Sequence, residues 1–226
     1  MTASPADLLA GHPATAYFWG RVAGDGTVHR DRLAVRTTDE AAAETIRRIA
    51  GGEIAHETTS RAYAHDTDLT RTDDEYTVTV TGEDLFGTSG SLGLPVDGRG
   101  TYRFGAFATH RRELLRGLLE GCGTICFKSA SGTVGISFVH DDAALLDVVQ
   151  DLIDDGPVDA PYGDRSATSS GGSWFGIDDD AAADFGRWLY AGADEGDLFA
   201  PSRRRKLLRS LDQAPDVAFD RSEGEL

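Results

Sequence analysis

The hydrophobic pattern of the chain predicts helices and strands in an order that occurs twice. Apolar spacings of three to four residues indicate helices and strict alternation indicates strands. The predicted helices are 14–24, 39–50, 109–121, 141–154 and the segments after residue 180. The predicted strands are 27–37, 53–66, 76–80, 124–129, 134–139, 160–168 and 173–178, with a polar turn over 67–74. The pattern therefore indicates two similar halves that mix helices with antiparallel strands.

A glycine-containing stretch begins each half. Residues 18–28 read FWGRVAGDGTV and residues 115–125 read LRGLLEGCGTI, and the two align without a gap at an offset of 97 (117 − 20). The glycines of the first copy then match those of the second: Gly20 with Gly117, Gly24 with Gly121, and Gly26 with Gly123.

These glycines predict a close pair of helices. Glycines four residues apart share one helix face, so two such faces let the backbones approach closely. The final Gly-x-Gly is typical of a helix end with a sharp exit, because glycine adopts positive φ without steric cost. Packing of this kind would place Asp25 beside Cys122 at one end of the pair.

Both stretches resemble the LAGLIDADG signature of homing endonucleases, and the first resembles its variant ending Ala-Gly-Asp-Gly. The resemblance covers about residues 14–212. It implies an α+β fold, a pseudo-twofold duplication of an αββαββα unit with two saddle-shaped antiparallel sheets. The implied division is a frayed lead-in over 1–13, a first half over 14–86, a linker over 87–108, a second half over 109–212 and an acidic tail over 213–226.

The family resemblance also implies a divalent metal site at the signature acids. Asp25 matches the metal-binding acid of the first copy, but Cys122 stands at the second position, and magnesium prefers oxygen ligands to sulfur. Glu120 is the nearest carboxylate in that copy, and helical spacing points it almost opposite to residue 122. Mg²⁺ is therefore the expected cofactor if the protein cleaves DNA, and no cofactor is expected otherwise.

Basic residues are the candidate DNA contacts, because arginine binds phosphate and guanine edges bidentately. Arg30, Arg32 and Arg36 share the strand face opposite Leu33 and Val35. The other candidates are Arg61, Lys128, Arg165, Arg203, Arg204, Arg205 and Lys206. The alternative interpretation is a set of solvated faces that form salt bridges with nearby carboxylates. Arg21, at a position that is usually apolar in the family, is interpreted as an edge arginine whose stem reaches solvent.

The amino-acid composition affects what the net charge implies about binding partners. The formal net charge is −16, and Lys128 and Lys206 are the only lysines among 22 basic residues. An acidic balance ordinarily argues against nucleic-acid partners. Here it resembles the proteins of salt-loving archaea, where molar salt screens charges within about 3 Å. Local arginine clusters then say more about partners than the total does.

Several other classes of protein are excluded or disfavoured. No run approaches the roughly 18 apolar residues of a membrane span, and we expect no membrane partner. The two cysteines, Cys122 and Cys126, indicate free thiols of a cytoplasmic protein. The histidines lack metal-ligand spacing, and the absence of asparagine excludes intein splicing.

Three functions remain at this stage. The first is a DNA-binding protein of the LAGLIDADG fold with impaired or lost cleavage, such as a regulator, a maturase-like factor or a decaying endonuclease. The alternative is an active Mg-dependent, site-specific endonuclease that uses Asp25 and an unidentified second acid. The third is a scaffold that binds no nucleic acid. The expected partner is double-stranded DNA or intron RNA, and the two fused copies predict a monomer that forms its own pseudo-dimer.

Overall fold

The structure is a computed structural model that describes residues 7–29, 31–63, 66–82, 92, 94, 101–195 and 197–214; for residues 61–63, 66–71 and 195 it describes the backbone alone. The helices are α1 (Pro13–Asp25), α2 (Glu40–Ala50), α3 (Arg111–Cys122), α4 (Ala143–Asp154), α5 (Asp179–Tyr190) and α6 (Pro201–Gln213), with short 3₁₀ turns at Gly105–His110 and Ala193–Glu195. The strands are β1 (Gly26–Val28), β2 (Arg32–Thr37), β3 (Glu53–Tyr63), β4 (Asp66–Thr81), β5 (Gly123–Lys128), β6 (Thr133–His140), β7 (Ser166–Ala167) and β8 (Ser173–Gly176).

The strands form two four-stranded sheets of the same topology. The first has the order β1-β2-β4-β3 and the second β5-β6-β8-β7, and every neighbouring pair is antiparallel. Each sheet follows directly from a glycine-bearing helix, α1 or α3. The predicted α+β fold with an internal duplication is confirmed.

Helices α1 and α3 contact each other through their backbones. A Cβ atom added to Gly20 would lie 2.3 Å from the carbonyl oxygen of Leu114, and one added to Gly117 would lie 2.3 Å from that of Tyr17. A Cβ on Gly24 would lie 3.0 Å from the Cα of Gly121. No side chain fits at these four positions without separating the helices.

Gly26 and Gly123, which follow α1 and α3, do not adopt the positive φ that the sequence predicted. Gly26 and Gly123 have φ values of −82° and −104°, so neither uses the left-handed conformation that the sequence suggested. Glycine is needed for space instead, because a Cβ at either residue would lie 2.5 Å from the carbonyl oxygen of Val22 or Leu119. Those carbonyls accept the amide hydrogens of the same glycines and close the helix ends.

Two segments pack more tightly than the sequence suggested. In the lead-in, Leu8 is buried and its carbonyl accepts a 2.6 Å hydrogen bond from Trp19 Nε1, so the expectation of fraying is wrong from residue 7 onward. In the segment predicted as a linker, Tyr102, Phe104 and Phe107 are buried. Their spacings of two and three positions mix the strand and helix periods and predict neither element, although the three residues join the same core.

The first sheet also contains a longer hairpin than expected. Residues 66–81 form one strand, which includes the predicted polar turn over 67–74. The register pairs Glu57 with Glu75 and Thr59 with Asp73. Backbone hydrogen bonds of an antiparallel ladder do not require apolar side chains, so a strand that is polar on both faces lacks the alternation that predicts strands. None of the helices in the described ranges is long and apolar enough to span a membrane.

Candidate functional site

The C-terminal ends of α1 and α3 bring Asp25 and Cys122 together. A Cβ added to Gly121 would lie 3.2 Å from Asp25 Oδ1, and one added to Gly24 would lie 3.0 Å from the amide nitrogen of Cys122. The glycine contacts therefore set the distance between the two signature positions. This junction, where both sheets begin, is the candidate site.

An internal arginine binds the Asp25 carboxylate. Arg21 Nη2 donates to Asp25 Oδ2 at 2.9 Å, one helical turn away, and the Arg21 side chain is only 2% exposed. The interpretation of Arg21 as an edge residue that reaches solvent is wrong. The half-buried carboxylate of Asp25 and the buried carboxylate of Glu120, the latter at 3.9 Å, compensate its charge, and the carbonyl of Arg36 accepts a further bond at 3.4 Å.

Glu120 is directed into the core, and both of its carboxylate oxygens accept hydrogen bonds from the protein. Its carboxylate accepts from Tyr17 Oη at 2.6 Å, from Tyr190 Oη at 3.0 Å and from the amide of Ala200 at 2.9 Å. The side chain is 0% exposed. It therefore joins α1, α3, α5 and the segment before α6, and it does not face the solvent-accessible side of Asp25.

Burial shifts the titration of all three groups. It raises the pKa of Asp25 and of Glu120, although Arg21 acts to lower both. Burial, with a smaller effect of the Asp25 charge, raises the pKa of Cys122 to about 12. The Cys122 thiol is consequently protonated at neutral pH, and it donates to the carbonyl of Leu118 at 3.4 Å.

The donors at this junction do not fit a magnesium site. Magnesium requires oxygen ligands in near-octahedral geometry, whereas the junction offers one carboxylate that is already paired with Arg21 and one protonated thiol. Within the described ranges, no three His, Cys, Asp or Glu side chains come together as a potential metal site.

A cavity of about 240 Å³ opens beside Asp25. Its wall includes both Arg21 and Asp25, with Arg36 from the end of β2 and Arg203 from the first turn of α6. The cavity therefore connects the junction of α1 and α3 with two arginines that the sequence analysis proposed as DNA contacts.

The open face of the first sheet carries charges of both signs. Arg32 and Arg36 are 51% and 71% exposed, and they lie 3.7 Å from Asp31 and 3.9 Å from Glu75. The register places three further acidic residues on the same face: Glu53, Glu57 and Asp73. Arg30 lies outside the described residues, and so does the side chain of Arg61.

The candidate cations of the second sheet are engaged within the protein. Lys128 forms a salt bridge with Asp179. Arg165 forms one with Asp147 and also donates to the carbonyl of Ala143 at 3.1 Å. Arg165 thereby links the segment before β7 to α4, and neither cation is unpaired.

The basic residues of α6 differ in whether they form salt bridges and in how exposed they are. Arg204 pairs with Asp194 at 2.6 Å and lies over the Phe199 ring. The side chains of Arg203, Arg205 and Lys206 form no ion pair or hydrogen bond with any described residue. Arg205 and Lys206 are exposed, whereas Arg203 is half-buried at the cavity.

Arg21, Tyr17 and Tyr190 belong to the site but were not predicted from the sequence as members of it. One signal was present: the repeat places Arg21 at the position of Leu118 in the second copy. A charged residue at an apolar position of a helix interface requires a buried partner of opposite charge, and the structure shows two.

Solved structures with known folds resemble this chain at low sequence identity. Full-length DUF199/WhiA from Thermatoga maritima matches with a TM-score of 0.51 and 9% identity over 95% of this chain, which spans 63% of that protein. The homing endonuclease I-WcaI bound to its DNA recognition sequence matches with a TM-score of 0.55 and 10% identity, covering 88% of this chain and 87% of that one. I-DmoI in complex with DNA and Ca matches with a TM-score of 0.51 and 11% identity, covering 87% and 97%.

At these identities the resemblance establishes the fold alone, and no curated protein matches the chain by sequence. A family described as "Putative archaeal homing endonuclease" matches residues 1–217, nearly the whole chain. The duplicated sheets and the paired glycine helices agree with that match. The chain therefore belongs to the LAGLIDADG homing endonuclease family.

Proposed function

We propose that this protein binds double-stranded DNA through the LAGLIDADG fold and has lost metal-dependent cleavage. The observation that carries the proposal is the 2.9 Å ion pair between Arg21 and Asp25, opposite the protonated thiol of Cys122. Metal-assisted hydrolysis needs ligands that clamp cations at the attacked phosphate. In this chain the guanidinium of Arg21 neutralises the carboxylate of Asp25, the remaining signature acid.

DNA binding is supported by the family and by three cations that pair with no described residue. Arg203, Arg205 and Lys206 lie on α6, which begins beside Asp25. Cations that pair with no internal carboxylate are available to phosphates, and phosphate contacts dominate the affinity of DNA-binding proteins. The acidic residues around them reduce long-range attraction, so we expect binding to depend on these local contacts.

The first test combines binding and strand scission on the same samples. The purified protein is incubated at high salt with duplex DNA from its own genomic locus, with Mg²⁺ and separately with Ca²⁺. We expect a retarded complex with either ion or with none, and no scission. Asp25→Asn is expected to leave the cleavage readout unchanged, because there is no activity to lose.

The other hypotheses predict different results in the same experiment. Scission with Mg²⁺ that Asp25→Asn abolishes would show an active endonuclease and overturn the proposal. Failure to bind duplex DNA would favour the scaffold, unless the matching intron RNA binds instead. Light scattering on the same preparation tests the proposed monomer.

A further inference from the structure

The wall of the cavity beside Asp25 has one cation that forms no ion pair with a described residue, although its positive charge acts to lower the pKa of Asp25. Arg203 lies in the first turn of α6, and its half-buried guanidinium forms no ion pair or hydrogen bond with a described residue. Its neighbour Arg204 is paired with Asp194. Partial burial without a partner distinguishes Arg203 from both Arg204 and the exposed Arg205.

A second donor on the same wall is unsatisfied. The Arg21 side chain is 2% exposed, and its Nε has no hydrogen-bond partner among the described residues. Asp25 Oδ1 is also without one. Both atoms are themselves inaccessible to solvent, so they do not contact a ligand in the cavity. Recognition of a ligand is left to the accessible guanidinium groups on the cavity wall.

The amides at the beginning of α6 are not available for that group. The amide of Ser202 donates to Asp39 Oδ2 at 2.7 Å, and the amide of Ala200 donates to Glu120 Oε2 at 2.9 Å. Two carboxylates of the protein thus occupy the helix N-terminus. Any ligand in the cavity has to be recognised by the side chains of its wall.

Arg36 completes the cationic wall. It is 71% exposed, and its Nε lies 3.9 Å from a Glu75 side chain that is 46% exposed. An exposed pair at this distance contributes little, so an anion with better geometry can replace Glu75. The other carboxylates of the wall, Asp25 and Glu120, already share Arg21.

We propose that Arg203 and Arg36 bind one phosphodiester of the DNA backbone over Asp25. This inference rests on the proposed function and assigns its central contact to guanidinium groups in place of a metal ion. Arginine suits the role because its planar fork meets two phosphate oxygens at once. Glu75 competes with the phosphate for Arg36.

The test compares two arginines of the same helix. The probe is a DNA duplex that the protein enriches from a random-sequence pool. Arg203→Gln is expected to weaken binding of this duplex roughly tenfold, the loss typical of a charge-assisted hydrogen bond. Arg209→Gln removes the same charge from an exposed position of that helix that is not among the proposed DNA contacts, and it should weaken binding less than about threefold. Thermal unfolding of both variants controls for folding.

Two further arms identify the ligand group. Glu75→Gln removes the competing carboxylate and should tighten binding by roughly twofold to fivefold. Methylphosphonate replacement of single phosphates should reveal one central position whose neutralisation weakens the wild type but not Arg203→Gln. Such non-additivity indicates direct contact.

The outcomes separate the two proposals. Equal losses for Arg203→Gln and Arg209→Gln, or additive effects at every phosphate, would overturn the central phosphate contact and leave DNA binding intact. A protein that enriches no duplex would overturn the proposed function and this inference with it.

Discussion

Arg21 provides one internal cation for the carboxylates of both Asp25 and Glu120. It is 2% exposed and balances Asp25 and Glu120, whereas its repeat counterpart is Leu118. Arg21→Leu should therefore leave the buried Glu120 and the half-buried Asp25 without the cation that they share. We expect the free energy of unfolding to fall by about 3–5 kcal/mol, measured by chemical denaturation.

Arg187→Leu is the matched control for Arg21→Leu. Arg187 pairs with Asp184 at 2.8 Å, but both side chains are more than half exposed, so its loss should cost less than about 1 kcal/mol. Similar losses for the two variants would show that burial does not strengthen the Arg21 interactions.

Glu120 gives the stability a specific pH dependence. Burial raises its pKa above the ordinary value of 4.5, so above pH 4.5 the folded protein retains a proton that the unfolded chain releases. The free energy of unfolding of the wild type should then fall as the pH rises through this window. In Glu120→Gln the group does not titrate, and Tyr17, Tyr190 and the Ala200 amide can still bond the amide side chain.

Denaturation of both proteins at a series of pH values measures this effect. The stability difference, Glu120→Gln minus wild type, should become more positive as the pH rises from 4.5. A difference that is independent of pH would mean that Glu120 titrates normally in the folded protein.

A double substitution tests whether the Arg21 guanidinium and the Cys122 thiol are what prevent metal binding at the site. Arg21→Leu with Cys122→Asp removes the internal cation and restores two facing carboxylates. Millimolar Mg²⁺ should raise the melting temperature of this double variant, because a ligand that binds only the folded state stabilises it. The wild type should show no such shift, and a shift of the same size in the wild type would contradict the role given to Arg21.

At the scale of elements, the α1–α3 contact depends on four glycines. Gly20→Ala would place a Cβ atom 2.3 Å from the Leu114 carbonyl, and a backbone atom on a packed helix cannot move aside without separating the pair. We expect a loss of at least about 2 kcal/mol in the free energy of unfolding, despite the higher helix propensity of alanine.

Gly163→Ala serves as the control for this substitution. A Cβ there would meet nothing within 4 Å, so the free energy of unfolding should change by no more than about 0.5 kcal/mol. If Gly20→Ala is equally mild, the two helices pack less closely than described.

The sequence predicted those elements whose pattern is set by local burial. The glycine helices, the leucine face of α3 and the alternating strand β2 were all visible because one face of each is apolar. The full length of β4 was not, because Asp73 and Glu75 lie in a ladder formed by backbone bonds. The pairing of Arg21 with Glu120 was also beyond sequence reasoning, because it joins residues 99 positions apart (120 − 21) through the tertiary fold.

At the scale of the whole molecule, the proposed function requires an acidic protein to approach an acidic polymer. The net charge is −16, and the open face of the first sheet adds four carboxylates to two described arginines. Long-range repulsion acts over a Debye length of about 10 Å at 0.1 M salt and about 3 Å at 1 M. The proposed phosphate contacts at Arg203 and on α6 act over shorter distances.

This difference in range predicts an unusual response to salt. Most DNA-binding proteins lose affinity steeply as salt rises, because phosphate contacts release counterions. Here added salt first removes the repulsion, so the association rate constant should rise between 0.1 M and about 0.5 M salt before counterion competition lowers the affinity. Stopped-flow association with the enriched duplex measures this rate. The association rate constant of the variant Arg203→Gln should rise with salt in the same way, because the net charge of the whole molecule causes the repulsion. Its dissociation rate constant should be higher than that of the wild type, because the local phosphate contact is lost. A rate constant that falls monotonically from the lowest salt would show that local cations, rather than net charge, control the approach.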